Sequence, residues 1–191
     1  MTSLADFEET GALLTGHFRL SSGRHSDRYL QCARLLQWPD RAERAGEELA
    51  SKLAGFSPTV VVSPAMGGII IGHEVARALK VPFLFAERGE GGFTLRRGFR
   101  LDPDARVVIV EDVFTTGKST REVIDMIASL GAKVVAVASI VDRGLPENAF
   151  PVPSRSLVSL NVPSWPEGDC PLCASGTPLD TPGSRFQAAA S

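Results

Sequence analysis

Cysteine is scarce in this chain, with three in 191 residues. Three cannot build the disulfide framework of a small extracellular scaffold. Neither sign of charge dominates, since 20 basic and 22 acidic side chains leave a formal net charge of −2. Such a surface has no global field to recruit nucleic acid or an anionic membrane. Long apolar runs are missing too. The most apolar stretch, Val60 to Gly72, is interrupted by Pro64 and paired glycines and is too short to span a bilayer. The N-terminus carries Asp6, Glu8 and Glu9 where a secretory signal needs basic and then apolar residues, so a cytoplasmic protein is expected. Two common nucleotide signatures, GxGxxG and GxxxxGK(S/T), are also absent.

What remains is ordinary for a globular domain: 43% hydrophobic and 22% charged residues. The length suits one domain able to bury its own core. Composition shifts once. Eight of the thirteen prolines fall from Pro146 onward. The chain therefore divides into an N-terminal helix and hairpin (about 1–36), an α/β core (37–145) and a Pro-rich C-terminal segment (146–191) of extended pieces and turns, ragged after Gly183.

Periodicity predicts a short helix over Leu4 to Leu14 with Ser3 as N-cap. Two strands, His17 to Leu20 and Arg28 to Leu36, should flank the turn Ser21-Ser22-Gly23. Asp40 reads as the cap of the next helix, with Glu43 in the capping-box position. An alternating pattern follows. Buried strands are predicted at Thr59 to Val62, Pro82 to Phe85, Arg106 to Val110 and Lys133 to Val141. Helices lie between, at about 69–79 and 119–130. This order implies a parallel sheet with right-handed crossovers and helices on both faces. Ligands of such sheets bind at the carboxyl ends of the strands.

At one such end the chain reads Val110-Glu111-Asp112-Val113-Phe114-Thr115-Thr116-Gly117-Lys118-Ser119-Thr120. Two acids end a buried strand, small hydroxyl residues and a glycine follow, and a helix starts. Unpaired N–H groups and the positive helix end make this a phosphate cradle. Thr115, Thr116, Ser119 and Thr120 add hydroxyl donors. Acids beside a phosphate site suit sugar hydroxyls or a developing positive charge. A ribose 5-phosphate fits, with Glu111 and Asp112 on its two free hydroxyls. The plain alternative is a strand end and a helix cap.

This stretch resembles the phosphoribosyl pyrophosphate (PRPP) signature of type I phosphoribosyltransferases. Phe18 to Ser26 with Tyr29-Leu30, Ser63-Pro64-Ala65-Met66-Gly67-Gly68, and Val141-Asp142-Arg143-Gly144 resemble the hood hairpin, the pyrophosphate loop and the base-site strand end of orotate phosphoribosyltransferases. The resemblance runs from about residue 5 to 185. It implies transfer of the phosphoribosyl group from PRPP to orotate, giving orotidine 5′-monophosphate and pyrophosphate in pyrimidine biosynthesis. It also implies catalytic roles for Glu111, Asp112 and Arg88. PRPP would lie on Glu111, Asp112, Val113, Phe114, Thr115, Thr116, Gly117, Lys118, Ser119, Met66, Gly67 and Arg88. Orotate would lie on Thr115, Arg143, Tyr29 and Leu30. Mg²⁺ is the implied cofactor, held mainly by PRPP, so that no protein metal ligand is expected. A homodimer is implied, with no nucleic acid or membrane partner.

The chain departs from the family at one segment. Many members carry Arg-Lys-x-x-x-Lys-x-His there, whereas this chain reads Arg88-Gly89-Glu90-Gly91-Gly92. Only Arg88 carries over, as in a short-loop branch. Arg96, Arg97 and Arg100 follow, and a glycine-rich start predicts a mobile, arginine-bearing loop. Ser21 likewise stands where lysine is frequent. The rival readings are a non-catalytic PRPP sensor and a transferase for another base. Cys170-Pro171-Leu172-Cys173 has zinc-knuckle spacing but offers only two of four ligands. The three histidines lie far away in sequence. Plain structural cysteines are the favoured reading over zinc or redox chemistry.

Overall fold

The computed structural model describes residues 1–20 and 22–182. Ser21 and residues 183–191, where the ragged end is expected, lie outside the described residues. Helix α1 spans Leu4–Glu9, capped by Ser3, whose N–H and hydroxyl both meet the Asp6 carboxylate (2.8 and 3.1 Å). It ends five residues sooner than the periodicity predicts. Gly11 turns the chain at φ +63°, and Leu13 and Leu14 open a strand instead.

That strand, β1 (Leu13–Arg19), pairs antiparallel with β2 (His25–Leu30) to form a separate hairpin. The predicted second strand was too long. Ala33–Leu36 is a single helical turn, α2, that buries Leu35 and Leu36. Helix α3 (Pro39–Leu53) starts on Pro39, whose fixed φ suits the first turn. Trp38 is its N-cap, so Asp40 and Glu43 do not form the predicted box. Glu43 instead takes Arg77 at 2.9 Å.

The remaining elements build one sheet of six strands: β3 (Val60–Pro64), β4 (Phe83–Gly89), β5 (Gly92–Leu95), β6 (Arg106–Phe114), β7 (Lys133–Asp142) and β8 (Ser154–Ser159), in the order β5-β4-β3-β6-β7-β8. All pairs are parallel except β4–β5. Helices α4 (Gly68–Leu79) and α5 (Lys118–Ser129) make two of the crossovers. β7 is buried almost throughout, and β6 from Val107 to Val110, because the sheet is covered on both faces. One core layer joins Val108 and Val110 to Leu49, Leu53, Ile71 and Val75 of α3 and α4. The other joins Val107 and Ile109 to Val123 and Ile127 of α5. The Pro-rich segment contributes more than turns. Its Ser154–Ser159 stretch is the edge strand beside β7, and two prolines just upstream, Pro151 and Pro153, fit an edge position.

Candidate active site

The carboxyl ends of β3, β6 and β7 lie side by side, and the crossover helices begin there. Strand β6 carries Glu111 and Asp112 to this edge. Thr115 to Gly117 form the turn, and α5 starts at Lys118. Residues Glu111 through Thr120 line a pocket of about 210 Å³. Thr115 and Thr116 are exposed at its mouth, while Gly117 is buried. Gly117 sits at φ +69°, and a Cβ there would approach Arg121 Nη1 to 2.9 Å and the Phe150 ring to 3.0 Å. Only glycine makes this turn without strain.

The two acids diverge. Neighbours on a strand point to opposite faces. Glu111 turns toward α5 and accepts the Thr120 hydroxyl at 3.0 Å. Asp112 turns toward α4, and its Oδ1 accepts the Val113 N–H at 2.9 Å. A Cβ on Gly67 would come within 2.8 Å of both Asp112 carboxylate oxygens. That glycine therefore lets the loop after β3 close on the acid. Gly68 and Gly72 serve packing: a Cβ on Gly68 would meet the Val110 carbonyl at 2.8 Å, and one on Gly72 the Ser63 hydroxyl. Met66, beside Gly67, is exposed.

Burial raises both carboxyl pKa values. Glu111 is pushed to about 7, first by burial and then by the Asp112 charge; the Thr120 hydroxyl and the Arg88 charge oppose the rise. Asp112 moves upward by burial, opposed by the Val113 N–H. The Glu111 shift has a stability consequence. An acid whose folded pKa exceeds its ordinary 4.5 opposes folding as pH rises from 4.5 to about 7, and the cost is complete above that. The displacement corresponds to at most about 3 kcal/mol. Glu111→Gln keeps an acceptor for Thr120 and removes the charge. Its melting temperature should match wild type at about pH 4, below the ordinary carboxyl value, and exceed it increasingly up to about pH 8. A pH-independent difference would contradict the assignment.

Arg88 stands at the end of β4. Its guanidinium lies 2.6 Å from Glu122 and 4.3 Å from the Phe93 ring centroid. The arginine segment starts as a tight hairpin, with Gly89 opposite Gly92. Arg97 is engaged as well, on Glu87 at 2.8 Å. Antiparallel pairing and these two ion pairs set the conformation in which the arginines are presented.

Arg143 follows β7. Its backbone N–H donates to the Phe114 carbonyl at 3.0 Å, which fixes it beside the cradle. Its Nε is buried without a partner, and burial pulls its pKa down. The Asp142 carboxylate accepts the Gly144 and Leu145 N–H groups, both at 2.9 Å, and shapes the turn. Tyr29 and Leu30 lie on β2, just before Cys32. The Cys32 thiol reaches the Asp112 carbonyl at 3.7 Å, so the hairpin's exit touches the acid strand.

Three contacts were not visible in the sequence. Thr120 serves Glu111 and is buried, where a phosphate donor was expected. Arg121 buttresses the cradle through the Thr116 and Ala149 carbonyls (2.7 and 3.1 Å). Glu122 holds Arg88. All three sit in the first turns of α5, where motif spacing marks only the residues before the helix.

This geometry has matching relatives. A phosphoribosyl transferase domain model matches residues 32–149. Orotate phosphoribosyltransferase from Thermotoga maritima is 52% identical over 178 residues, covering 93% of this chain and 95% of that protein. The chain belongs to the orotate phosphoribosyltransferase family. The enzyme of that name from Carboxydothermus hydrogenoformans is 53% identical over 181 residues, covering 94% and 95%. A crystal structure of the Aeropyrum pernix orotate phosphoribosyltransferase superposes with a TM-score of 0.69 at 30% identity, covering 81% of this chain and 91% of that one. An adenine phosphoribosyltransferase from Thermoanaerobacter pseudethanolicus shares the fold at 19% identity and a TM-score of 0.61. The fold is thus common to transferases for different bases.

Proposed function

We propose that the chain transfers the 5-phosphoribosyl group of PRPP to orotate, giving orotidine 5′-monophosphate and pyrophosphate. The observation that carries this is the arrangement at the β6 end. A phosphate cradle, two acids and an arginine with an unpartnered Nε are brought together by the β6–β7 pairing and the bond from the Arg143 N–H to the Phe114 carbonyl that follows it. Thr115, Thr116 and the N–H groups of Gly117 to Ser119 anchor the 5-phosphate. Glu111 and Asp112 flank the ribose on either side of the strand end. Orotate's N1 bonds to the anomeric carbon as the bond to the pyrophosphate oxygen breaks, and the N1 proton passes to solvent or to the released pyrophosphate. The positive charge that develops on the sugar lies near the carboxylates. Met66 and Gly67 face the pyrophosphate.

The donor set fits Mg²⁺ only as an ion brought by the substrate. Glu111 is turned onto Thr120, Asp112 is tied to Val113, and the described residues offer no converging set of hard oxygen ligands. PRPP oxygens would hold the ion, beside the Glu111 and Asp112 carboxylates of the pocket. Bound there, it would offset charge on the leaving pyrophosphate. Three unpaired cysteines suit a reducing cytoplasm. No helix among the described residues is long and apolar enough to cross a membrane. We also read the active form as a homodimer, which a solution mass of twice 20.4 kDa would support.

The test is product formation from orotate and PRPP. Binding of PRPP without turnover would convert the reading to a PRPP sensor. Arg88→Ala, which removes the cation at the hairpin end, should lower kcat about tenfold with little change in orotate KM. Steady-state kinetics equal to wild type would remove Arg88 from the mechanism.

A further inference from the structure

The histidines are remote from Cys170 and Cys173 in sequence but not in space. The fold brings His17, His25, Cys170 and Cys173 together, with their four ligand atoms all within 4.8 Å of one another. His17, His25 and Cys170 are buried, each 3% exposed or less, and Cys173 closes the rim. This cluster is remote in function from the β6 pocket and is used by no step above. We propose that it is a structural zinc site of the Cys2His2 type.

The distances favour a metal at the centre. Tetrahedral Zn²⁺, with bonds of about 2.0–2.1 Å to nitrogen and 2.3 Å to sulfur, sets ligand–ligand separations of roughly 3.3–3.8 Å. Here Cys170 Sγ and Cys173 Sγ lie 3.5 and 3.7 Å from His17 Nε2, and Cys173 Sγ lies 3.2 Å from His25 Nδ1. The two imidazole nitrogens face each other at 3.0 Å. The separations thus bracket the tetrahedral values, from 3.0 Å up to no more than 4.8 Å.

The outer contacts are of the right kind. A ligating histidine usually donates its second N–H to a carbonyl or carboxylate, which fixes the tautomer. His17 Nδ1 lies 2.8 Å from the Thr177 carbonyl. A carbonyl only accepts, so Nδ1 carries the proton and Nε2 presents its lone pair to the cluster. The cysteines come from one turn: Cys170 is the N-cap of α6 (Pro171–Ala174) and Cys173 lies inside it. A donor set of two thiolates and two imidazoles selects zinc over hard cations.

The site also has a mechanical purpose. The hairpin β1–β2 carries both histidines, and the C-terminal segment carries both cysteines. Backbone bonds already join the two, from His25 to Trp165 in both directions (2.8 Å) and from Asp180 to the His17 carbonyl (2.8 Å). The ion would cross-link these strands and pin the hairpin that bears Tyr29 and Leu30. The proposal stands whether or not orotate is the substrate.

The experiment uses the untagged full chain. Elemental analysis of the purified protein should find about one zinc ion per chain, and a mercurial reagent should release it to a colorimetric chelator. Cys173→Ser and His25→Asn should lose the ion. A chelator-treated sample should melt lower by on the order of 10 °C and recover on adding zinc. Because the variants can fail to fold, metal-stripped wild type is also titrated with Co²⁺. Tetrahedral ligand-field bands with a thiolate charge-transfer band are expected. Protein with substoichiometric zinc and no such cobalt spectrum, or with Cys170 and Cys173 recovered as a disulfide, overturns the site.

Discussion

Asp112→Asn should lower kcat for orotidine 5′-monophosphate formation on the order of 1,000-fold while leaving the fold intact. The reaction builds positive charge on the ribose ring as pyrophosphate departs. A fixed carboxylate at that place stabilises the charge without reorganising, and removing one such preorganised group costs about 3–4 kcal/mol elsewhere. Asp112 is fixed on two sides. The Val113 N–H holds one oxygen at 2.9 Å, and Gly67 packs against the carboxylate so closely that a Cβ would come to 2.8 Å. Asparagine keeps the shape and the Val113 contact but presents an amide where an anion stood. The loss should therefore fall on kcat more than on PRPP KM. Unchanged melting temperature with kcat within tenfold of wild type would show that Asp112 only ends the strand. Gly67→Ala should also lower kcat, since its Cβ would press on the same carboxylate, and should in addition raise PRPP KM because Gly67 faces the pyrophosphate.

The acids illustrate how far the residues speak for themselves. Their identity, their place at a strand end and the cradle beyond them follow from a buried β-branched run, two carboxylates and a Thr-Thr-Gly turn. Their divergence does not come from motif spacing. It comes from strand alternation, which sends Glu111 to Thr120 and Asp112 to Gly67. The same contrast holds for the fold. The four central strands are evident because both faces of each are apolar. The edge strand β8 is hidden, because Ser154-Arg155-Ser156 is polar and lies beside Pro151 and Pro153. Leu13-Leu14 fits a helix or a strand equally well until Gly11 is known to take a positive φ. The clustering of His17 and His25 with Cys170 and Cys173 is a tertiary fact. No spacing rule spans some 150 residues when the ligands come from a hairpin and a tail.

Arg143→Ala should raise orotate KM about 100-fold and leave PRPP affinity within a factor of two or three, because one charged bidentate contact is lost at the base and nothing at the phosphate. The reason is the state of this side chain. Its Nε is buried and unpartnered, so the guanidinium carries a desolvation cost that burial expresses as a lowered pKa. A planar carboxylate on the ligand satisfies that donor and restores the charge pairing. Arg143 is held in register by its own N–H on the Phe114 carbonyl, a backbone bond that alanine retains. The cradle should therefore keep its form. Arg143→Lys tests geometry against charge: a lysine retains the cation but not the fork, and should recover only part of the loss. Calorimetry separates the outcomes. If orotate and PRPP weaken together, Arg143 supports the cradle and the base is read elsewhere. If orotate alone weakens, the carboxylate is the feature by which this pocket tells its base from adenine.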